Sequence, residues 1–298
     1  MRAAPGNACG DLGQARFSDA ARRHCVARLH LDRPLLTQYR LWLGDLARGD
    51  FGESFATGEP VSRRIARAAP NTILLMSLAV ALSFLIGIGL AVLETLHPTS
   101  ILLRSADALS LTFYALPDFW LAQIALLLFA YVFPIFPPGG VAGFGAEYGG
   151  FWSQLGDRLA HLALPVLTLA ALSTAAITYF QRVALRDVRH EHWIRTARAK
   201  GVGERAVVLH HTLRNALVPT IVLFGGQLPA IAGGAVFVES VFAWPGLGRL
   251  AVEAVSARDY PVVVGCVTVG AAAVAAGSLL ADCLHALVDP RVRDSLGV

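Results

Sequence analysis

The feature that most constrains this chain is a series of long apolar runs. Between Ala68 and Leu93 there is no charged residue at all. A helix rises about 1.5 Å per residue, so crossing a hydrocarbon core of about 30 Å takes about 20 apolar residues. Five runs meet that length, at about 72–93, 111–133, 159–181, 215–238 and 260–281. Composition agrees: hydrophobic residues make up 55% of the 298 residues and charged residues 15%, against about 25% charged in a soluble domain. High hydrophobicity excludes a disordered chain, and four cysteines exclude a disulfide-rich scaffold. The expected fold class is an all-α polytopic membrane protein with five transmembrane helices.

The 111–133 run contains Asp118, so its insertion needs arithmetic. A centred Asp costs about 3 kcal/mol, while each Leu, Ile, Phe or Val gains about 0.3–0.6 kcal/mol. Twelve such residues in the run outweigh the carboxylate, which also lies off centre. The third and fifth runs are rich in Ala, Gly, Ser and Thr, which let helix backbones approach closely; both are expected to pack against protein more than lipid.

Orientation follows from charge. The 182–214 connection carries eight basic and three acidic residues and is cytoplasmic by the positive-inside rule. The 135–157 connection has two acids and no base and reads as external, as does 239–259 by alternation. The first 70 residues conflict with this: they carry eleven Arg and seven acids, and alternation places them outside with no apolar segment to lead them across. Cys9 and Cys25 fall in this polar segment, where spacing leaves their pairing open; Cys266 and Cys283 lie in apolar sequence as packing residues.

The basic connection looks like two short helices around a glycine turn. Residues 191–200 are good helix formers, Gly201 is suited to end that helix with positive φ, and 204–215 can restart one before Pro219, the first strong breaker. A loop that only touches anionic lipid would satisfy the charge pattern as well; the compact turn adds the shape of a knob that fits a protein groove.

Ala197-Arg198-Ala199-Lys200-Gly201, followed by His211, Arg214-Asn215-Ala216 and Pro219, resembles the cytoplasmic signature loop of ABC importer permeases, in the variant of the dipeptide/oligopeptide/nickel branch. Arg195-Thr196-Ala197 stands where the broad signature has Glu-Ala-Ala. Further stretches resemble the same branch: 31–35 through Gly49-Asp50-Phe51-Gly52-Glu53-Ser54, Ala115-Leu116-Pro117-Asp118-Phe119-Trp120, Phe242-Ala243-Trp244-Pro245-Gly246-Leu247-Gly248, and Arg258-Asp259-Tyr260-Pro261. The resemblance covers nearly the whole chain and points to the permease with the long external loop. Arg2-Ala3-Ala4-Pro5-Gly6-Asn7 resembles the residues just after the family's first transmembrane helix, so five spans are expected where the family has six. A start assigned too far downstream is the expected cause, with a true truncation as the alternative.

The organisation this implies is a polar external segment over 1–68, a transmembrane permease domain of the type I ABC importer core over 69–286 with its coupling loop at 182–214, and a cytoplasmic tail over 287–298. The resemblance implies that Ala197, Lys200, Gly201, His211, Arg214, Asn215 and Pro219 dock to an ATPase subunit. It also implies that Trp244 belongs to a short external helix at the mouth of the pathway. Asp118 is a candidate for the path as an intramembrane carboxylate, with an interfacial hydrogen-bonding role as the plainer reading. Gln227 is a further path candidate, among polar residues (Gln123, Thr168, Thr174, Thr178, Gln181) that sequence alone does not sort. Glu239 is read as an exposed group able to pair with Arg249 or Arg258. The histidines at 190, 192, 210 and 211 are read as solvent or partner contacts, and no metal site is expected.

No Gly-x-x-x-x-Gly-Lys-Ser/Thr is present, so this chain builds no phosphate cradle, and no catalytic site is expected. The resemblance implies a non-enzymatic permease subunit in the bacterial inner membrane that imports peptides or related small solutes, nickel included. Its implied partners are a second homologous permease, two ATPase subunits that hold the ATP, and an external solute-binding protein. No cofactor is expected on this chain. The competing class is a secondary transporter driven by an ion gradient.

Overall fold

The computed structural model describes residues 32–288 together with Val26. Cys9, Cys25 and the stretch at 2–7 lie outside the described residues, and with them the question of a Cys9–Cys25 pair. Among the described residues the chain is helical, and the β pairing is one isolated bridge between Glu53 and Pro60. The helices run in order α1 (Leu35–Ala47), α2 (Val61–Leu96), α3 (Ile101–Tyr114), α4 (Asp118–Leu126), α5 (Phe151–Arg189), α6 (His192–Ala199), α7 (Leu213–Gly233), α8 (Val236–Val241), α9 (Leu247–Ser256) and α10 (Tyr260–Val288).

Four stretches are single helices long and apolar enough to cross a bilayer: Val61–Leu96, Phe151–Arg189, Glu204–Ile231 and Tyr260–Cys283. The fifth is a bent pair, Ile101–Tyr114 with Asp118–Val132, which turns through 114°. The apolar run at 111–133, expected as one continuous span, is therefore broken at residues 115–117. Pro117 explains the break: it disfavours helical geometry in the residue before it and lacks the N–H to continue the ladder. Asp118 stands in the first turn of α4, with its Oδ1 accepting from the Phe119 N–H at 2.8 Å.

Pro219 also departs from expectation, since it lies inside α7 and does not end it. The same is true of Pro70 in α2 and Pro165 in α5. Packing of α5 is as its small residues suggest, with 56% of its apolar window buried, whereas in α10 only 22% is buried. Ala271, Ala272, Ala275 and Ala276 of α10 stay exposed within this chain.

The chain divides into two compact units. One comprises the residues up to Ala69 with 250–269. In it α1 leads through a turn, where the Asp50 N–H donates to the Asp45 carbonyl at 2.9 Å, to a loop held by the buried carboxylate of Asp259. That carboxylate accepts from the Ser54 hydroxyl, from the Phe55 N–H at 2.9 Å and from Arg64 at 3.4 Å. Val61, Ile65 and Val262 are buried in this unit.

The other unit comprises 70–249 with the residues from Gly270 onward. Its core is a chain of apolar clusters along α2 and α5. Leu75 and Ala79 pack with Leu162, Val166 and Trp244; Val80 and Phe84 pack with Ile177; Ala91 and Val92 pack with Ala184, Leu185, Val208 and Ala216. The last of these clusters joins the two helices to the segment that follows the basic turn.

Candidate functional site

The basic connection folds as a helical hairpin. Helix α6 ends at Ala199, and Gly201 takes φ +81°, a region that favours glycine. The Gly201 and Val202 N–H groups donate back to the carbonyls of Arg198 and Ala197, which closes the helix end. A single turn, Glu204–Ala206, restarts the chain and passes through a π-helical turn, Val207–Thr212, into α7. Ile194, Val207 and Val208 are fully buried and fix the hairpin to the body of the unit.

Of the residues read as docking groups, Lys200, Gly201, His211, Arg214, Asn215 and Pro219 are exposed and Ala197 is half-buried. Trp193, which sequence reasoning did not single out, is also exposed on α6. The hairpin thus presents basic, polar and aromatic groups around its turn, on a base that is closed by apolar packing.

Polar cross-links tie the hairpin's neighbours together. Gln181 is fully buried; its Nε2 donates to the Ala216 carbonyl at 3.1 Å and its Oε1 accepts from the Thr220 hydroxyl, joining α5 to α7. The next residue, Arg182, pairs with Glu94 at 3.0 Å and with Asp107 at 2.7 Å, joining α5 to α2 and α3. Thr168, Thr174 and Thr178 each donate to the carbonyl four residues earlier in α5. The polar residues that sequence could not sort thus divide, with Gln181 bracing two helices and the three threonines bonded within one. Gln227 is half-buried, and Gln123 is exposed.

A second assembly surrounds Trp244. Its indole is buried, and Nε1 donates to the Asn71 carbonyl at 3.0 Å. Glu239 is fully buried rather than exposed as expected. Its Oε1 accepts from the Thr72 hydroxyl at 2.8 Å, and its Oε2 accepts from the Arg249 N–H at 3.1 Å. The Gly248 N–H also bonds to this carboxylate, and the Leu247 N–H donates to Thr72 Oγ1 at 2.8 Å. Together Thr72 and Glu239 satisfy the first N–H groups of α9, where the residue before the helix, Gly246, has no side chain to do so. Burial pushes the Glu239 carboxyl above its ordinary range, and these hydrogen bonds offset part of that shift.

Sequence reading missed this cap. The one available signal was negative: a helix preceded by glycine, with no local Ser, Thr, Asp or Asn to cap it. Asp118 is half-buried at the start of α4, where it serves its own helix N-terminus.

Comparison with known proteins agrees with this architecture. Residues 65–294 match the family model described as binding-protein-dependent transport system inner membrane component. The chain is 39% identical over 293 residues to the oligopeptide transport system permease protein AppB of Bacillus subtilis, covering 98% of this chain and 91% of that protein. It is 33% identical to the di/tripeptide transport system permease protein DppB of Pseudomonas aeruginosa, covering 95% and 88%. It is 32% identical to the dipeptide transport system permease protein DppB of Escherichia coli, covering 94% and 88%. A solved structure described as an amino acid ABC transporter with histidines shares the fold, with a TM-score of 0.53 and 18% identity over 75% of this chain and 94% of that one. With its apolar helices and a match spanning most of its length, the chain belongs to the binding-protein-dependent transport system inner membrane components, as a multi-pass permease subunit of the ABC importer class.

Proposed function

We propose that this permease imports peptides or related small solutes, and that it is driven by ATP hydrolysed on separate subunits that grip the hairpin at 192–212. The observation that carries this reading is the hairpin itself: a glycine turn with Lys200 and Gly201 exposed at its apex and Ile194, Val207 and Val208 buried at its base. Such a knob suits insertion into a groove of another protein, and Ala197, His211, Arg214, Asn215 and Pro219 flank it. A second homologous permease completes the path, and an external solute-binding protein delivers the cargo. Peptide transport is the assignment carried by the names of the relatives; nickel chelates are a further cargo of the same chemical size. The chain itself holds no ATP and no cofactor.

Mechanically, closure of the ATPase pair on ATP moves the hairpin. Cross-links at the buried Gln181 and the half-buried Arg182 pass that motion to α2, α3, α5 and α7, and the path opens outward; hydrolysis resets it. Trp244, Gln227 and Asp118 remain the candidates along the path. An ion-gradient mechanism finds less support, because Asp107 and Glu94 share Arg182 and Asp118 accepts from an N–H in the first turn of its own helix.

The test is co-purification of the permease with its ATPase subunits. Gly201→Trp should lose most of the bound ATPase while the permease still inserts. Full retention of the ATPases together with full uptake would overturn the docking role.

A further inference from the structure

A glycine turn is a weak lever. Residues 200–203 include Gly201 and Gly203, and a force applied at the apex could be absorbed there by backbone rotation. The structure contains a brace across this turn. Arg198, at the end of α6, donates from Nε to Glu204 Oε2 at 3.1 Å and from a terminal nitrogen to Oε1 at 3.0 Å, a two-pronged pairing. Arg189, the last residue of α5, donates to the same Oε1 at 2.7 Å. Through its other terminal nitrogen Arg189 donates to the Thr95 carbonyl at 3.3 Å, near the end of α2. One carboxylate therefore joins both arms of the hairpin to α5, and through Arg189 to α2.

From these contacts we infer that Glu204 is a positioning residue for energy coupling: it stiffens the hairpin so that a push at Lys200–Gly201 reaches α5 and α2. This rests on the docking role proposed above. The side chains are partly exposed, with Glu204 46%, Arg198 36% and Arg189 32% accessible. Isolated surface pairs contribute little, but a fork-shaped pairing shared by two guanidinium groups is the arrangement that does hold geometry. Sequence distance hides the brace, since Glu204 lies 15 residues from Arg189 and 6 from Arg198.

The experiment uses the assembled transporter in liposomes, with a tripeptide as cargo and its solute-binding protein present. Glu204→Gln should keep the ATPase subunits bound but lower peptide imported per ATP hydrolysed by about fivefold or more, the usual scale of energetic coupling between sites. Arg189→Gln, which cuts the same brace with a charge change opposite in sign to that of Glu204→Gln, should lower the ratio likewise, which a role confined to surface charge would not produce. A wild-type ratio in Glu204→Gln or in Arg189→Gln would overturn the inference. If Glu204→Gln loses the ATPases, Glu204 belongs to the docking surface and the transmission role is wrong. If Gly201→Trp keeps its ATPases and its uptake, it is the docking reading that fails.

Discussion

The hydroxyl of Thr72 lies 2.8 Å from the carboxylate of Glu239, a hydrogen bond between residues 167 positions apart. Thr72 sits early in the first long apolar helix, and Glu239 in the short helix before the Trp-Pro-Gly turn. The pair serves as the N-terminal cap of α9, assembled from two distant segments rather than from the local sequence.

Glu239→Ala would leave the Thr72 hydroxyl and the N–H groups of Gly248 and Arg249 without their acceptor. Each buried group left unpaired costs about 1–3 kcal/mol, so the apparent unfolding temperature of the purified permease should fall by several degrees. pH provides a second readout. Because burial raises the Glu239 pKa from its ordinary 4.5, the folded state binds this proton more tightly than the unfolded state. The stability contributed is fully present below the unfolded value and is lost as pH rises through the folded value. The unfolding temperature of the wild type, measured relative to Glu239→Gln, should therefore rise as pH is lowered toward the ordinary carboxylate range.

Gly246→Ala tests the closeness of the same assembly. A Cβ at this position would stand 2.5 Å from Thr72 Oγ1 and closer still to the Glu239 carboxyl carbon. The backbone and the carboxylate cannot both stay in place. This small substitution is expected to destabilise the protein as much as Glu239→Ala, and the double variant should show much less than the sum, since both remove one interaction.

Asp259→Ala probes the other unit. It removes the acceptor for Ser54, Phe55 and Arg64 and leaves a guanidinium without its carboxylate. The loop at 50–60 should become more open to protease in the purified protein, while Ser54→Ala, which removes one hydroxyl, should give a smaller increase in cleavage.

Much of the fold is legible in the sequence. The runs that begin near Thr72, Leu159 and Tyr260 lie within long helices because apolar length is the property a bilayer selects, whereas the run expected over 215–238 outlasts its helix, which ends at Gly233 before a separate short helix, Val236–Val241. Gly201 and the restart at Glu204 are legible from local chemistry, since a positive φ needs glycine. Three things are not. The break before Asp118 is hidden by the apolar residues on both sides of Pro117, which weigh the run as one segment. Pro219 reads locally as a breaker, although helices in a membrane tolerate proline where neighbours supply partners. Glu239 reads as exposed because its partners, Thr72 and the α9 N-terminus, are brought to it only by tertiary folding. The same holds for Ser54 with Asp259 and for Arg189 with Glu204: each residue stands in a readable motif, while the contact between motifs is not written locally.

Gln181 supports a prediction about the buried brace between α5 and α7. Gln181→Leu should preserve volume but leave the Thr220 hydroxyl and the Ala216 carbonyl without their partner. Uptake should fall while the ATPases stay bound, and Gln181→Glu, which keeps an acceptor for Thr220, should retain more uptake than Gln181→Leu.

The most direct measurement concerns Lys200 at the apex of the hairpin. With the four native cysteines replaced, Lys200→Cys is treated with a membrane-impermeant maleimide. A hairpin that faces the cytoplasm and is gripped by ATPase subunits gives no labelling in intact cells, strong labelling in inverted vesicles stripped of ATPase, and protection when the ATPases are restored. Labelling from outside intact cells, or equal labelling with and without bound ATPase, would contradict it.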